Sequence, residues 1–312
     1  MQRTILFAKT YGILVVTVLL FVVLALTTEG FFTDRNMRNI LDQQSGVLIA
    51  ACFMTMAIIA GNFDISVGAV YVATPLVALL VENATGSIAL GILAGLGAGA
   101  VMGAINGIAV TRLKVNSFIA TLATSFVFFG TGYLVSDRSI MRPETDGWRD
   151  LARTRIFELT SATWIAIAVV ILASVLLTRT RFGRNVYATG ANREAARLAG
   201  VATDRVQMIT FVLLAGAAAL AGILGSSRAI SAQPSDDFSF IFAVLTAVIV
   251  GGTSIAGGAG AIWRTVTAVF FLAFLSNGFN LHQIDPIWQR LIEGFVILIA
   301  VSIDAWSQRR SG

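Results

Sequence analysis

Asp64 is the residue best placed to do chemistry in this otherwise apolar chain. It stands in Gly61-Asn62-Phe63-Asp64, a polar break between two long apolar runs. A carboxylate at membrane depth is costly, and it persists where it relays an ion, meets a polar solute or is held by partners. At a broken helix a further role is open to it, capping the backbone N–H groups that the break sets free. The other charges near apolar runs are few. Arg290 and Glu293 fall in the first turns of the last run, Asp304 lies near its end, and His282 and Asp285 sit in the turn before it, all places where an interfacial or loop charge is ordinary. No Gly-x-x-x-x-Gly-Lys-Ser/Thr loop exists, because Lys9 and Lys114 are the only lysines and neither follows such glycines. The single cysteine, Cys52, lies inside an apolar run; alone it forms no intrachain disulfide and no multi-cysteine metal site, and it reads as a small buried hydrophobe. What remains on offer is hydrogen bonding to a neutral solute and contact with a partner. Catalysis, metal binding and ATP binding by a phosphate loop are not.

The elements that must position these residues are membrane helices. Of 312 residues, 56% are apolar and 12% charged, with a mean hydropathy of +0.82. Soluble domains carry about a quarter charged residues, so this composition belongs in lipid. Despite a pI near 10.0, the basic residues are scattered through short loops without a basic stripe, which excludes a nucleic-acid partner. A bilayer core is crossed by about 20 apolar helical residues. Ten runs fit, near 10–28, 46–60, 65–81, 87–110, 116–135, 161–178, 206–225, 239–250, 262–280 and 287–305. The second and eighth are short, and each ends at a glycine-bearing break, Gly61-Asn62-Phe63-Asp64 and Gly251-Gly252-Thr253-Ser254, as expected of helices interrupted inside protein. The first run follows Arg3 and Lys9 and reaches Thr27-Thr28-Glu29 without a small-residue cleavage pattern, so it reads as an uncleaved anchor.

The expected fold is therefore an all-α polytopic bundle, one transmembrane domain over 1–312, with broken helices near 61–64 and 251–258. With both ends on the inner side, inner segments hold 13 Lys and Arg against 9 outside, and acidic residues divide 4 to 13, which places the 179–205 loop in the cytoplasm. The fourth run carries Gly91, Gly95, Gly99, Gly103 and Gly107 on one stripe, a face that lets another helix backbone approach closely.

The 179–205 loop carries six arginines and the string Gly190-Ala191-Asn192-Arg193-Glu194-Ala195-Ala196-Arg197-Leu198-Ala199-Gly200-Val201. Its middle reads as a short helix, with Asn192 as N-cap, Glu194 in the first turn where the helix dipole favours an anion, and Gly200 placed to stop it. Ala195, Ala196 and Ala199 would give a small flat surface able to enter a groove on another protein; a polar helix lying at the membrane surface is the plainer alternative.

At this loop the chain resembles a known family. Glu194-Ala195-Ala196 followed at an interval of three residues by Gly200 is similar to the loop by which permease subunits of ATP-binding-cassette importers dock on their ATPase subunits. Gly61-Asn62-Phe63-Asp64-Ile65-Ser66-Val67-Gly68 resembles the Gly-Gly-Ile-Asp-Leu-Ser-Val-Gly signature of the monosaccharide importer permeases, the ribose, xylose, arabinose, rhamnose and autoinducer-2 group. Val250-Gly251-Gly252-Thr253-Ser254-Ile255-Ala256-Gly257-Gly258 resembles the second glycine-rich string of that family, and Asn106-Gly107, Asn116-Ser117-Phe118, Asn277-Gly278 and Pro286-Ile287-Trp288-Gln289 also match its pattern. Asn62 and Phe63 depart from the signature, and Asn116-Ser117 stands where the family often has prolines.

The resemblance covers roughly 40–305 and implies the rest. The chain would be the permease subunit of a bacterial cytoplasmic-membrane sugar importer, paired with a second permease copy. It would be fed by an extracytoplasmic sugar-binding protein and driven by a separate ABC ATPase that uses ATP and Mg, with no cofactor on this chain. Arg193, Glu194, Ala195, Ala196 and Gly200 would couple to the ATPase. Asn62, Asp64, Ser66, Asn106, Asn116, Phe118, Asn277, Trp288 and Gln289 are the candidates for lining the solute path. A permease for a nucleoside or branched-chain amino acid, and an ion-driven secondary carrier, stay open as alternatives.

Overall fold

The computed structural model describes residues 2–285 and, beyond them, 287–289, 291, 292, 294, 295 and 298. Its elements in chain order are α1 (Gln2–Thr27), α2 (Asp34–Ile59), α3 (Val67–Thr85), α4 (Ile88–Thr111), α5 (Ser117–Val135), α6 (Gly147–Arg153), β1 (Arg155–Ile156), β2 (Leu159–Thr160), α7 (Ser161–Arg179), α8 (Arg181–Ala191), α9 (Arg193–Leu198), α10 (Thr203–Ala229), α11 (Ser239–Val250) and α12 (Ile262–Leu281). Among the described residues seven helices, α2 to α5, α7, α10 and α12, are long and apolar enough to cross a bilayer. Tyr11–Thr27 of α1 and all of α11 are apolar but shorter. The all-helical polytopic expectation holds, with one exception: β1 and β2 pair as a small antiparallel hairpin. Most of the expected last run, 287–305, together with Pro286, Arg290, Glu293 and Asp304, lies outside the described residues.

One boundary needs correction. The second run is not short: α2 begins at Asp34 rather than near 46 and is 26 residues long. An apolar count discards its first turns, which are polar, yet those side chains are satisfied. Thr33 caps the helix, accepting from the Asn36 N–H at 3.3 Å. Arg38 pairs with Asp34 and with Glu158 of the hairpin, and Asp42 accepts from Thr160 Oγ1 at 2.8 Å. From Leu48 to Ile59 the same helix is buried and forms the centre of the bundle, with α7, α10, α11 and α12 packed around it.

The glycine stripe of α4 does what its spacing predicts, and it serves two neighbours. A β-carbon at Gly95 would stand 2.9 Å from Ala78 Cβ of α3. At Gly99 and Gly103 it would meet Ala219 Cβ at 2.6 Å and the Phe211 carbonyl oxygen at 2.7 Å, both on α10. Helix α4 therefore lies against two backbones at once, in the manner of small-residue packing between membrane helices.

The α6 end of the bundle is a closed cap. The fully buried Glu82 carboxylate at the end of α3 accepts from the Thr145 N–H at 3.0 Å, the Glu144 N–H at 3.3 Å and the Thr145 hydroxyl. Ser227 Oγ accepts from the Ala152 N–H at 3.0 Å and donates to the Trp148 carbonyl at 2.7 Å, so α6 is tied to the last turn of α10.

Candidate functional site

Between α2 and α3 the chain makes a bend, Ala60 to Ser66, that buries Asn62, Asp64 and Ser66 and leaves Gly61 exposed. Gly61 takes φ +80°, a conformation that side-chain-bearing residues disfavour, and this lets the chain reverse. Asp64 then closes the start of α3: its Oδ1 accepts from the Ser66 N–H at 2.8 Å and from Ser66 Oγ at 2.6 Å. That is the capping role expected of a carboxylate at a broken helix. Asn106 of α4 donates to Ser66 Oγ at 2.7 Å and accepts from Thr124 Oγ1 of α5 at 2.6 Å.

Helix α5 satisfies the bend's own backbone. Ser117 Oγ accepts from the Phe63 N–H at 3.1 Å, and Thr121 Oγ1 from the Ile65 N–H at 3.0 Å. From α10, Gln207 Nε2 donates to the Ala60 carbonyl at 3.3 Å while Thr210 Oγ1 accepts from Asn62 Nδ2 at 3.0 Å. Three acceptors of this cluster, Asn62 Oδ1, Asp64 Oδ2 and Gln207 Oε1, are buried and have no donor among the described residues. Gln207, Thr121, Thr124 and Thr210 are members of the cluster that sequence reasoning missed. Each sits in an apolar helical run, where a lone amide or threonine reads as ordinary.

Four of the nine path candidates, Asn62, Asp64, Ser66 and Asn106, therefore come together at full or nearly full burial. Asn116 is exposed at the N-terminus of α5, where its Oδ1 accepts from the Phe118 N–H at 3.0 Å. The Phe118 ring lies 5.8 Å from that of Phe63, on the border of the cluster. The remaining three are elsewhere. Asn277 exchanges amide hydrogen bonds with Asn36, each 2.9 Å, near the start of α2; Trp288 is 60% exposed; Gln289 donates to Asn280 Oδ1 at 3.0 Å and to the Ile284 carbonyl at 2.8 Å. His282 and Asp285 do loop work, the first meeting Thr28 Oγ1 at 3.0 Å and the second accepting from the Ile287 N–H at 2.7 Å.

None of the nine lines the main cavities. One, of about 670 Å³, opens between α2, α11 and α12 beside Gln44, Ser239, Phe242, Thr246 and Ser276. Another, of about 240 Å³, and a third, of about 110 Å³, share Tyr71, Gly225 and Phe240 as a common wall. In that wall the Tyr71 and Phe240 rings stack with centroids 3.8 Å apart and planes 14° from parallel. Their pairing joins α3 to α11 and left no local signal in the sequence.

The 190–201 segment folds as its residues predict at the level of backbone. Asn192 caps α9, accepting from the Ala195 N–H at 2.9 Å. Glu194 is in the first turn, paired with Arg197 at 3.2 Å. Gly200 takes φ +86° and the Val201 N–H returns to the Ala196 carbonyl at 3.0 Å, which ends the helix. Two details differ from expectation. Ala196 faces inward and is buried, so Ala195 and Ala199 are exposed without it, beside Leu198 at 80% exposure. Arg193 is held by Asp204 at 2.6 Å, and Asp204 also takes Lys114 at 2.9 Å, which ties α9 to α10 and to the segment between α4 and α5.

Ahead of α9 the 179–205 segment holds a further helix, α8, beyond the one short helix its residues predict. It buries Gly183, Val186 and Thr189 and donates from Tyr187 Oη to the Gly260 carbonyl at 2.8 Å. Burial pushes the Tyr187 phenol pKa up, so the hydroxyl keeps the proton it donates.

A many-helix membrane bundle with broken, internally hydrogen-bonded helices and an ordered polar loop defines a membrane translocation component rather than an enzyme. The comparisons with known proteins agree. A family model described as the branched-chain amino acid transport system / permease component matches residues 36–301. The L-arabinose transport system permease protein of Escherichia coli K12 is 36% identical over 299 residues, 96% of this chain and 91% of the relative. The ribose import permease protein of the same strain is 33% identical, covering 93% and 92%. The L-arabinose ABC transporter permease protein of Azospirillum brasilense is 31% identical, covering 96% and 89%. No solved structure matches. The chain belongs to this family of transport-system permease components. It is an ABC importer permease of a bacterial inner membrane, and such permeases work with a separate ATPase and a binding protein.

Proposed function

We propose that this chain imports a monosaccharide. The observation that carries the reading is the donor–acceptor balance of the bend: Asn62 Oδ1, Asp64 Oδ2 and Gln207 Oε1 are three buried acceptors without donors. Sugar hydroxyls donate to such oxygens; the ammonium of an amino acid would do so too, but its carboxylate would still need donors or a cation that three free acceptors do not offer. The arabinose and ribose permeases among the relatives support the same substrate class. In this reading the solute enters past the Tyr71 and Phe240 rings and the Gln44 and Phe242 cavity, whose amides and aromatic faces suit a polyol. It passes the bend when the helices part. Asn116 and Phe118 border the route; Asn277, Trp288 and Gln289 are assigned to the outer rim.

The full assembly in this reading has ten spans with both termini in the cytoplasm and two copies of this chain or a close relative around the path. A binding protein delivers sugar to the α6 end. Segment 190–201 docks an ATPase that uses ATP and Mg, through Glu194, Ala195 and Gly200 at its surface, with Arg193 and Ala196 holding the segment's shape. Branched-chain amino acid import is the second reading, favoured by the description of the matching family model. Uptake by cells expressing the complete transporter decides: labelled arabinose, ribose or xylose accumulates and leucine does not. Leucine accumulation without sugar accumulation overturns the proposal.

A further inference from the structure

Three segments distant in sequence meet backbone to backbone at one point. The Gly258 N–H donates to the Ile59 carbonyl at 2.9 Å, joining the α11–α12 break to the end of α2. Gly190, the penultimate residue of α8, lies directly against both. A β-carbon at 190 would overlap the Ile59 carbonyl oxygen and stand 2.7 Å from the Gly258 nitrogen. Gly257 and Gly258 take φ +88° and +73°, and the Gly190 carbonyl oxygen would be 3.1 Å from a β-carbon at 257, so the approach is tight from each side. One turn earlier on α8, Tyr187 Oη holds the Gly260 carbonyl.

We propose that Gly190 is a positioning residue for transport, through which displacement of the docking helix α9 reaches both broken helices together. Helix α8 passes into α9 through Asn192 alone. That residue's N–H returns to the Ala188 carbonyl at 3.2 Å and its side chain caps α9, so the two helices are joined at both ends of one residue. At Gly190 the contact to Ile59 and Gly258 is backbone against backbone. No side chain intervenes to absorb a shift by changing rotamer, and closely packed interiors transmit such strain. Beyond α9 the chain enters α10, where Gln207 grips the Ala60 carbonyl. The first bend is thus held from both flanks of the docking segment, and the second from α8.

The inference rests on the reading that 190–201 docks an ATPase, and the experiment separates the two. The permease, its ATPase and its binding protein are reconstituted in proteoliposomes, and sugar import, ATP hydrolysis and ATPase recovery by pull-down are measured for each variant. Gly190→Ala is expected to recover the ATPase within twofold of the unmodified complex while sugar imported per ATP hydrolysed falls at least tenfold. Tyr187→Phe, which removes only the Gly260 hydrogen bond, is expected to lower the same ratio about threefold, and it alone decides should Gly190→Ala not accumulate in the membrane. An unchanged import-to-hydrolysis ratio overturns the inference. Glu194→Lys tests the docking reading independently. Full ATPase recovery with that variant removes the reading and the inference with it; lost recovery alongside normal coupling in the α8 variants leaves the reading standing and the inference overturned.

Discussion

Asn106 Nδ2 donates to Ser66 Oγ across 2.7 Å, joining two residues 40 positions apart and tying α4 to the residue that precedes α3. The same amide accepts from Thr124 Oγ1, so one side chain holds three helices around the bend. Asn106→Leu keeps the branching of the side chain and removes both bonds. Each bond of this kind contributes about 0.5–1.5 kcal/mol, and those between membrane helices average near the low end. The variant is expected to lose about 1–2 kcal/mol, read as a fall in the thermal unfolding midpoint of the purified protein in detergent. An unshifted midpoint would show that the Asn106 bridge adds nothing to stability.

Asp64 shapes the bend through Oδ1, which takes both bonds from Ser66. Asn at 64 retains that oxygen. Asp64→Asn is therefore expected to fold normally but, with an amide NH2 in place of the free Oδ2 acceptor, to import sugar about threefold or more slower than the unmodified protein, whereas Asp64→Ala loses both bonds and about 1.5–3 kcal/mol. Initial uptake rates and unfolding midpoints of the two variants are the check. Normal uptake in Asp64→Asn with its midpoint unchanged would mean that Oδ2 takes no part in translocation.

Some of this arrangement was legible from the residues and some was not. The Gly61 to Asp64 break, the Asn192 and Gly200 caps and the α4 stripe are local signals, written by residue type and by a repeat of four, and the structure places each accordingly. The start of α2 was illegible to an apolar count because Asp34, Arg38 and Asp42 are made tolerable by partners such as Glu158, Thr160 and Arg228, far along the chain. The inward face of Ala196 and the stacking of Tyr71 on Phe240 belong to tertiary structure alone. An alanine or an aromatic in a helix carries no mark of which neighbour it meets.

The α4 stripe gives a paired test of packing. Gly103→Leu would drive a large side chain into the Phe211 carbonyl and Ala215, while Gly97 has no neighbour within 4 Å. Overpacking costs about 1–3 kcal/mol where the surroundings can shift, and two backbones shift poorly. Gly103→Leu should sharply reduce the folded yield. Gly97→Ala should leave it unchanged or raise it, since alanine in a helix interior is favoured over glycine by about 0.5–1 kcal/mol. Size-exclusion profiles of the two variants distinguish these outcomes; equal yields would mean that α4 and α10 are free to separate.

The surface of α9 gives the sharpest test of docking, because its residues divide cleanly by exposure. Leu198 is 80% exposed, so an aspartate there disturbs little within the chain and changes chiefly what a partner meets. Leu198→Asp is expected to fold and insert normally and to reduce ATPase recovery in a pull-down at least tenfold. Ala196 faces inward at 6% exposure, and Ala196→Trp should disrupt the segment itself, visible as new protease cleavage between 190 and 205 in the isolated permease. Gly200→Ala lies between them: at φ +86° a β-carbon costs about 1–2 kcal/mol, enough to fray the end of α9 without unfolding α8. Recovery should then fall in the order unmodified, Gly200→Ala, Leu198→Asp. Full recovery with Leu198→Asp would mean that an ATPase meets the chain at some surface other than this helix.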